Sequence, residues 1–364
     1  MPTAAEFLAG LTAASRRSSP RAVAAECALV VAGTVIGWYL SLRSSRRSVV
    51  SGEQEGKYLR RQPDESTPIN GTMVAMSHGD TFVQIDGENN PGPWVVLIHG
   101  NTGSTWYLEQ LAQRLAAQGK KVLRYDLYGR GWSSCGGHPH TQHLFVGQLA
   151  EVLFSQGITG VIDLIGYSIG GQVALLFAAK YANKLRTLTL ISPAVATPPS
   201  WALLLAQSNW SKLFAGALVK KALVKRDRYA SDWVDLQHSD PEKRAAAQQK
   251  LDALFPTELD RFENEPALFR SFTLTLGGMP WLERPEYIRI LNNKAKELRL
   301  PIHVLWGELD TITKVGDADK LGALLPHAVI TRLPLYGHSL PYEHPGECCT
   351  FILDRLGVGA SARL

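Results

Sequence analysis

The sequence predicts an α/β protein, a mostly parallel, doubly wound sheet carrying a helical insertion. Three observations predict it. From about residue 94 onward, short apolar runs of strand length alternate with amphipathic runs of helical spacing. One junction, Val161-Ile162-Asp163-Leu164-Ile165 then Gly166-Tyr167-Ser168-Ile169-Gly170 then Gln172 to Ala179, reads strand, sharp turn, helix, with a serine at the tip. The alternation stops near residue 195 and resumes at Ile302, after the sixth strand.

Taken in order, Thr72–Met76 and Phe82–Asp86 flank His78-Gly79-Asp80 and read as an antiparallel hairpin. Trp94–His99 is a buried strand, and Tyr107–Gln118 has helical spacing that ends at Gly119. Lys121–Asp126 is a strand, and Gln142–Gln156 is a helix with Leu144, Leu149, Val152 and Leu153 on one face. Val161–Ile165 is the strand before the serine, and Thr187–Ser192 is the next, closed by Pro193. Residues 195–297 are helix-rich and dotted with Trp, Phe and Leu, as a cap would be. Ile302–Trp306, Ala318–Leu325, Ala328–Leu333 and Pro345–Leu356 then restore the strand–helix alternation. The expected organisation is an N-terminal anchor or targeting segment at 1–45, a linker at 46–70, a core in two parts at 71–194 and 298–364, and the cap at 195–297 between them.

Charge divides the chain unevenly. Its formal net charge is +5, and residues 1–61 hold nine Lys/Arg against four Asp/Glu, so the remaining residues are neutral. No basic face is implied for the folded body, which argues against a nucleic-acid partner. Residues 22–42 form a mostly apolar stretch long enough to cross a bilayer, with arginines on both sides and Trp38 and Tyr39 near one end. The favoured reading is a single-pass membrane anchor with the catalytic body on the cytosolic side. An organelle (mitochondrial) transit peptide is the alternative, and a cleaved secretory signal fits less well. The four cysteines, Cys27, Cys135, Cys348 and Cys349, show no framework of pairs and no metal spacing, so reduced thiols are expected. Neither a cofactor nor a metal is expected, and the sequence assigns no oligomeric state.

A serine hydroxyl is a weak nucleophile near neutral pH. It needs a base to take its proton, a carboxylate to fix that base's tautomer, and donors aimed at the oxyanion. The glycines around Ser168 permit the tight turn that exposes such a hydroxyl. His338, in Leu335-Tyr336-Gly337-His338-Ser339 just after the last strand, is the expected base, with His344 the runner-up. Asp310, in Trp306-Gly307-Glu308-Leu309-Asp310-Thr311, is the expected acid, and Glu308 competes with it. The backbone amides of Ile169 and Asn101 are the expected oxyanion donors, with Thr102 less favoured. Ile169 opens a helix, whose positive end faces the same site. His99 is expected to brace its loop. His138, His140 and His143 are expected in a solvated loop, and Cys135 is the weaker candidate nucleophile.

With these parts in place the chain resembles the α/β-hydrolase superfamily from about residue 72 to 357. The matching motifs are His99-Gly100-Asn101, Asp126-Leu127-Tyr128-Gly129-Arg130-Gly131-Trp132-Ser133, Gly166 to Gly171, Gly307-Glu308-Leu309-Asp310, and Gly337-His338 followed by Glu343-His344-Pro345. The resemblance implies a nucleophile elbow at Ser168 and a structural role for the Asp126 segment. A serine there argues against the sister groups that carry a carboxylate at the elbow. The anchor-plus-body plan resembles membrane-anchored members of the monoacylglycerol-lipase type. The implied function is a serine hydrolase acting on a lipophilic carboxylic ester such as a monoacylglycerol. The rivals are a thioesterase, peptidase, C–C hydrolase or perhydrolase, and a catalytically silent, membrane-tethered binding protein.

Overall fold

The structure, a computed structural model, describes residues 70–134, 139–196, 233–237, 239–264, 266–281 and 285–360. The expected anchor at 1–45, the linker at 46–70 apart from its last residue, Cys27, Cys135 and His138 lie outside the described residues, as does the first part of the insertion. Among the described residues no helix is long and apolar enough to cross a membrane.

The elements follow in chain order. They are β1 (Thr72–Met76), β2 (Gly79–Asp86), β3 (Trp94–Ile98), α1 (Glu109–Ala117), β4 (Lys121–Tyr125), α2 (Gln142–Ser155), β5 (Ile162–Tyr167), α3 (Ile169–Tyr181), β6 (Leu185–Ile191), α4 (Pro241–Asn264), α5 (Pro266–Gly278), α6 (Glu286–Leu298), β7 (Ile302–Gly307), α7 (Gly316–Leu324), β8 (Val329–Leu333) and α8 (Pro345–Ala360). A 3-10 turn, Thr105–Leu108, precedes α1, so the segment expected as one helix from Tyr107 begins with tighter geometry. Gly119, at φ +78°, ends it as anticipated: its amide and that of Lys120 cap the carbonyls of Ala116 and Leu115.

The eight strands lie in the order β1-β2-β4-β3-β5-β6-β7-β8. The pairs β1/β2 and β2/β4 are antiparallel and all others are parallel. A parallel centre must be covered on both faces, and the period-2 pattern of β3 shows how. Val96 and Ile98 face the core beneath α2, α3, α6 and α7, whereas Val95 and Leu97 face the core beneath α1 and α8. Cys348 and Cys349 are buried, unpaired thiols on α8 in this second core.

The insertion divides into two kinds of helix. Trp233, Ala247 and Leu251 form a small cluster of their own with Trp106, Leu236 and Tyr342. By contrast, α6 sets Tyr287, Ile288, Leu291 and Ala295 into the main core. It is the crossover helix that a parallel β6-to-β7 connection requires. Ile288 and Leu291 are fully buried, each contributing about 2 kcal/mol of apolar transfer.

Candidate active site

The site grows from the β5–α3 turn at the carboxyl edge of the sheet. Ser168 is one of three non-glycine residues with positive φ among the described residues, at φ 54°, ψ −120°. Holding a side chain there costs about 1–3 kcal/mol and requires surroundings that over-determine it. Those surroundings are visible. The Ser168 amide donates to the Ile191 carbonyl (3.0 Å), and its carbonyl accepts from the amides of Gly171 and Ala194 (2.9 Å each). A Cβ on Gly166 would lie 2.3 Å from the Gly170 carbonyl oxygen, and one on Gly170 would lie 2.3 Å from that of Ile98. Both contacts are with backbone and cannot relax, so the glycines are steric necessities of the turn, as anticipated.

Asp310 and His338 meet Ser168 although they lie far from it in sequence. The loop after β7 delivers Asp310, and the loop after β8 delivers His338. His338 Nε2 lies 3.1 Å from Ser168 Oγ, and His338 Nδ1 lies 2.8 Å from Asp310 Oδ2. Ser168 and His338 are each 7% exposed and Asp310 is 5% exposed. Asp310 is held from every side. Its Oδ1 accepts the amides of Ile312 (2.9 Å) and Thr313 (2.7 Å), and its Oδ2 also accepts the Thr313 hydroxyl (2.7 Å). Burial alone would raise its pKa. The electrostatic pull of the adjacent His338 imidazole, and hydrogen bonds from His338 and Thr313, outweigh burial and hold the carboxyl below its usual range. Thr313 Oγ1 also lies 3.2 Å from His338 Nδ1 and from the Ser192 carbonyl, and Trp306 Nε1 pins the Thr313 carbonyl at 2.7 Å. The competing carboxylate, Glu308, is exposed, while its amide pairs with the Leu333 carbonyl.

The loop after β3 abuts the elbow. A Cβ on Gly100 would touch the Tyr167 ring at 3.0 Å and Ser168 Cβ at 3.4 Å. This places Gly100, the residue before Asn101, beside the nucleophile candidate. Ile169, the first residue of α3, has no intrahelical acceptor for its amide. His99 braces the loop: its Nε2 accepts the Leu127 amide (2.9 Å), so the proton sits on Nδ1 and is donated to the Gly100 carbonyl (2.7 Å). Asp126 ties neighbouring loops together by accepting the amides of Thr105 and Trp132 (2.7 Å each).

Three features went unread in the sequence. Arg130 is fully buried, and its guanidinium donates to the carbonyl (3.2 Å) and side-chain oxygen of Asn101, to the Tyr128 carbonyl (2.9 Å), and to Ser271 and Thr275 of α5. Its place between Gly129 and Gly131 was the available signal, since tight turns on both sides aim one long side chain inward. His140 corrects the expectation of a solvated histidine loop. It is buried, 3.3 Å from both Arg130 and Thr275, because α5 covers it, whereas His143 is exposed. Tyr167 stacks on Tyr107 (5.4 Å, 6°) and tilts over His338 (5.1 Å, 39°), while Tyr107 stacks on Tyr342 (5.0 Å, 25°). His344, the alternative base, packs instead against Tyr336, near Asp235 and Glu343.

This arrangement can accept a proton from a serine hydroxyl and return it to a leaving group. Comparison with known proteins agrees with it at the level of family. A family model described as alpha/beta hydrolase fold matches residues 93–345, and the chain belongs to that family. A proline iminopeptidase of Clostridioides difficile is 32% identical over 124 residues, 33% of this chain and 42% of that protein. The chain thus spans less than half of that relative. Lipase 1 of Psychrobacter immobilis is 23% identical across 73% of this chain and 77% of its own length. Among solved structures, an esterase from Thermogutta terrifontis superposes with a TM-score of 0.61 at 19% identity, covering 80% of this chain and 99% of that one. At such identity the likeness concerns the fold. A lipase and peptidases among the relatives support a hydrolase in general terms.

Proposed function

We propose that the protein is a serine hydrolase of carboxylic esters, with Ser168 as nucleophile, His338 as general base and acid, and Asp310 as the carboxylate that orients His338. The observation that carries this reading is the continuous Ser168–His338–Asp310 hydrogen-bonded line, with contacts of 3.1 and 2.8 Å, set on a positive-φ serine. Asp310 accepts the Nδ1 proton, which leaves the Nε2 lone pair facing the hydroxyl. Ser168 Oγ attacks the ester carbonyl as His338 takes its proton. The tetrahedral oxyanion is held by the amides of Ile169 and Asn101. His338 returns the proton to the leaving alcohol and an acyl-enzyme remains. Water, deprotonated by His338, then releases the acid and restores Ser168.

Within this class the favoured substrate is a lipophilic ester such as a monoacylglycerol. Two features support it: the aromatic stack of Tyr342, Tyr107 and Tyr167, the last of which tilts over His338, and the apolar stretch 22–42, which sequence alone nominates as a membrane tether. The test combines a fluorophosphonate label with a panel of esters of graded acyl length, a thioester and a prolyl arylamide. Expected are labelling that Ser168→Ala abolishes, and faster turnover of long-chain than of acetyl esters. Absence of labelling in the wild type would overturn the enzyme reading. A preference for the arylamide or thioester would replace the substrate class while leaving the triad in place.

A further inference from the structure

A second cluster of chemically able side chains lies outside this machinery. Asp235 follows the undescribed part of the insertion, and Glu343 and His344 end the short helical turn Leu340–Glu343 that begins two residues after His338. One donor atom from each falls within 4.8 Å of the others. His344 Nε2 is 3.6 Å from Asp235 Oδ2 and 3.7 Å from Glu343 Oε1, too far for hydrogen bonds. A tetrahedral ion with bonds of about 2.1 Å spaces its ligands about 3.4 Å apart, so both separations fit a bridging cation within a few tenths of an ångström.

The second observation is an unmet demand. Glu343 is 3% exposed, and its Oε2 has no hydrogen-bond partner, as is true of the buried His344 Nε2. A buried carboxylate oxygen without a partner is costly. The Lys250 ammonium does not meet it, since its Nζ donates to the Glu343 main-chain carbonyl (3.0 Å), and the other carboxylate oxygen takes the Asp235 amide (3.2 Å). The surroundings of His344 also suit a ligand. Tyr336 packs edge-on against its ring (4.7 Å, 83°), and the Glu347 carboxylate lies on its Nδ1 side at 3.9 Å. The carboxylates around the ring raise its affinity for a proton, so an ion at Nε2 would displace that proton and leave the remaining one on Nδ1, toward Glu347. A surface groove lined by Asp235, Lys250, Tyr336, Glu343, His344 and Glu347 gives an ion a path in.

We propose that Asp235, Glu343 and His344 bind one divalent cation, Zn2+ by their nitrogen-and-oxygen donor set, which clamps the insertion to the segment behind His338. Two carboxylates and a neutral imidazole balance the ion's charge. The site does not depend on the hydrolase reading, and its test does not use hydrolysis. Tag-free full-length protein, stripped with a chelator, is titrated with Zn2+ by calorimetry, with Mg2+ in parallel, and its melting temperature is followed with and without Zn2+. Expected are one saturable equivalent with a dissociation constant in the micromolar range or below, a Zn2+-dependent rise in melting temperature, and weakening by about tenfold or more in Asp235→Asn and in His344→Gln. Should His344→Gln fail to fold, Asp235→Asn, at a side chain 27% exposed, carries the test alone. No saturable Zn2+ binding, or binding that Asp235→Asn leaves intact, overturns the proposal and makes the cluster a protonated-histidine ion pair.

Discussion

Replacing Asp310 with Asn probes the site by changing one atom and almost no volume. Oδ1 of Asp310 accepts two amide N–H groups, from Ile312 and Thr313, so the new carbonyl oxygen must occupy that place. The new NH2 then stands where Oδ2 was, 2.8 Å from His338 Nδ1. It can only donate, so Nδ1 becomes the acceptor and the imidazole proton moves to Nε2, toward Ser168. The base then presents a proton where it should present a lone pair. Thr313 loses one acceptor but keeps the Ser192 carbonyl at 3.2 Å, so the fold should survive. A wrong tautomer costs about 10^4 in kcat, or about 5 kcal/mol of transition-state stabilisation. The assay is ester hydrolysis by wild type and variant, with circular dichroism and melting curves to confirm folding and the fluorophosphonate labelling rate as an independent readout. A second readout follows from linkage. The Asp310 pKa is depressed in the folded protein, so its stabilisation is present above the unfolded carboxyl's pKa and is lost as pH falls through the folded value. Asp310→Asn should remove that part of the acid sensitivity. Loss of less than about tenfold in kcat in a folded variant would refute the proposed role of Asp310.

Two further outcomes test other parts of the structure. Arg130→Lys keeps the charge and the apolar stem but cannot reproduce the fork that joins Asn101 to Ser271 and Thr275. It should lower kcat by about tenfold to a hundredfold with a smaller change in KM, as expected when a donor to the transition state is misplaced, and unchanged kcat would sever the link between Arg130 and the Asn101 loop. His303 is buried on β7 with neither ring nitrogen hydrogen-bonded, and burial, then the nearby Arg355 charge, push its pKa down to about 4. Its folded pKa lies below the unfolded value, so it favours the native state above pH 6.5 and that contribution drains away as pH falls toward 4. The loss is at most about 3 kcal/mol, and about half that after solvent screening. His303→Leu should flatten the fall in melting temperature over this window, and an unchanged slope would refute the assignment.

What could be read from the sequence was what is local or fixed by chain order. The need for glycine at 166 arises within one turn, so five residues reveal it, and that at 170 follows from the close passage of the helix start to the neighbouring strand β3. The preference for Asp310 over Glu308 needed only the geometry of the turn after Gly307, and the structure places Asp310 against His338 while Glu308 faces solvent. What stayed hidden depends on which surface a residue meets. The spacing of Tyr287, Ile288, Leu291 and Ala295 marks an amphipathic helix equally well in a cap or on a sheet, and only the packing against α3 distinguishes the two. His140 stands in a polar, glycine-rich stretch and reads as solvated, yet α5, more than a hundred residues later, closes over it. The Asp235, Glu343 and His344 cluster is illegible for the same reason, since Asp235 precedes Glu343 by 108 residues.

The distribution of these long-range ties has a physical consequence for the site. Both loops that flank Ser168 are anchored to the insertion as well as to the sheet. Arg130 links the Asn101 loop to α5, and Tyr342, in the turn after His338, lies against Trp233 at 5.8 Å. The Arg130 guanidinium donates to Asn101 and Tyr128 on one side and to the Ser271 carbonyl and Thr275 hydroxyl of α5 on the other, and the latter two bonds break if α5 moves. Losing hydrogen bonds from a buried guanidinium costs about 1.5–3 kcal/mol each, which ties α5 to the Asn101 loop. Displacing the insertion would therefore disturb the candidate oxyanion loop and the histidine loop together. That makes the described part of the insertion part of the scaffold that supports the 3.1 Å contact between His338 and Ser168.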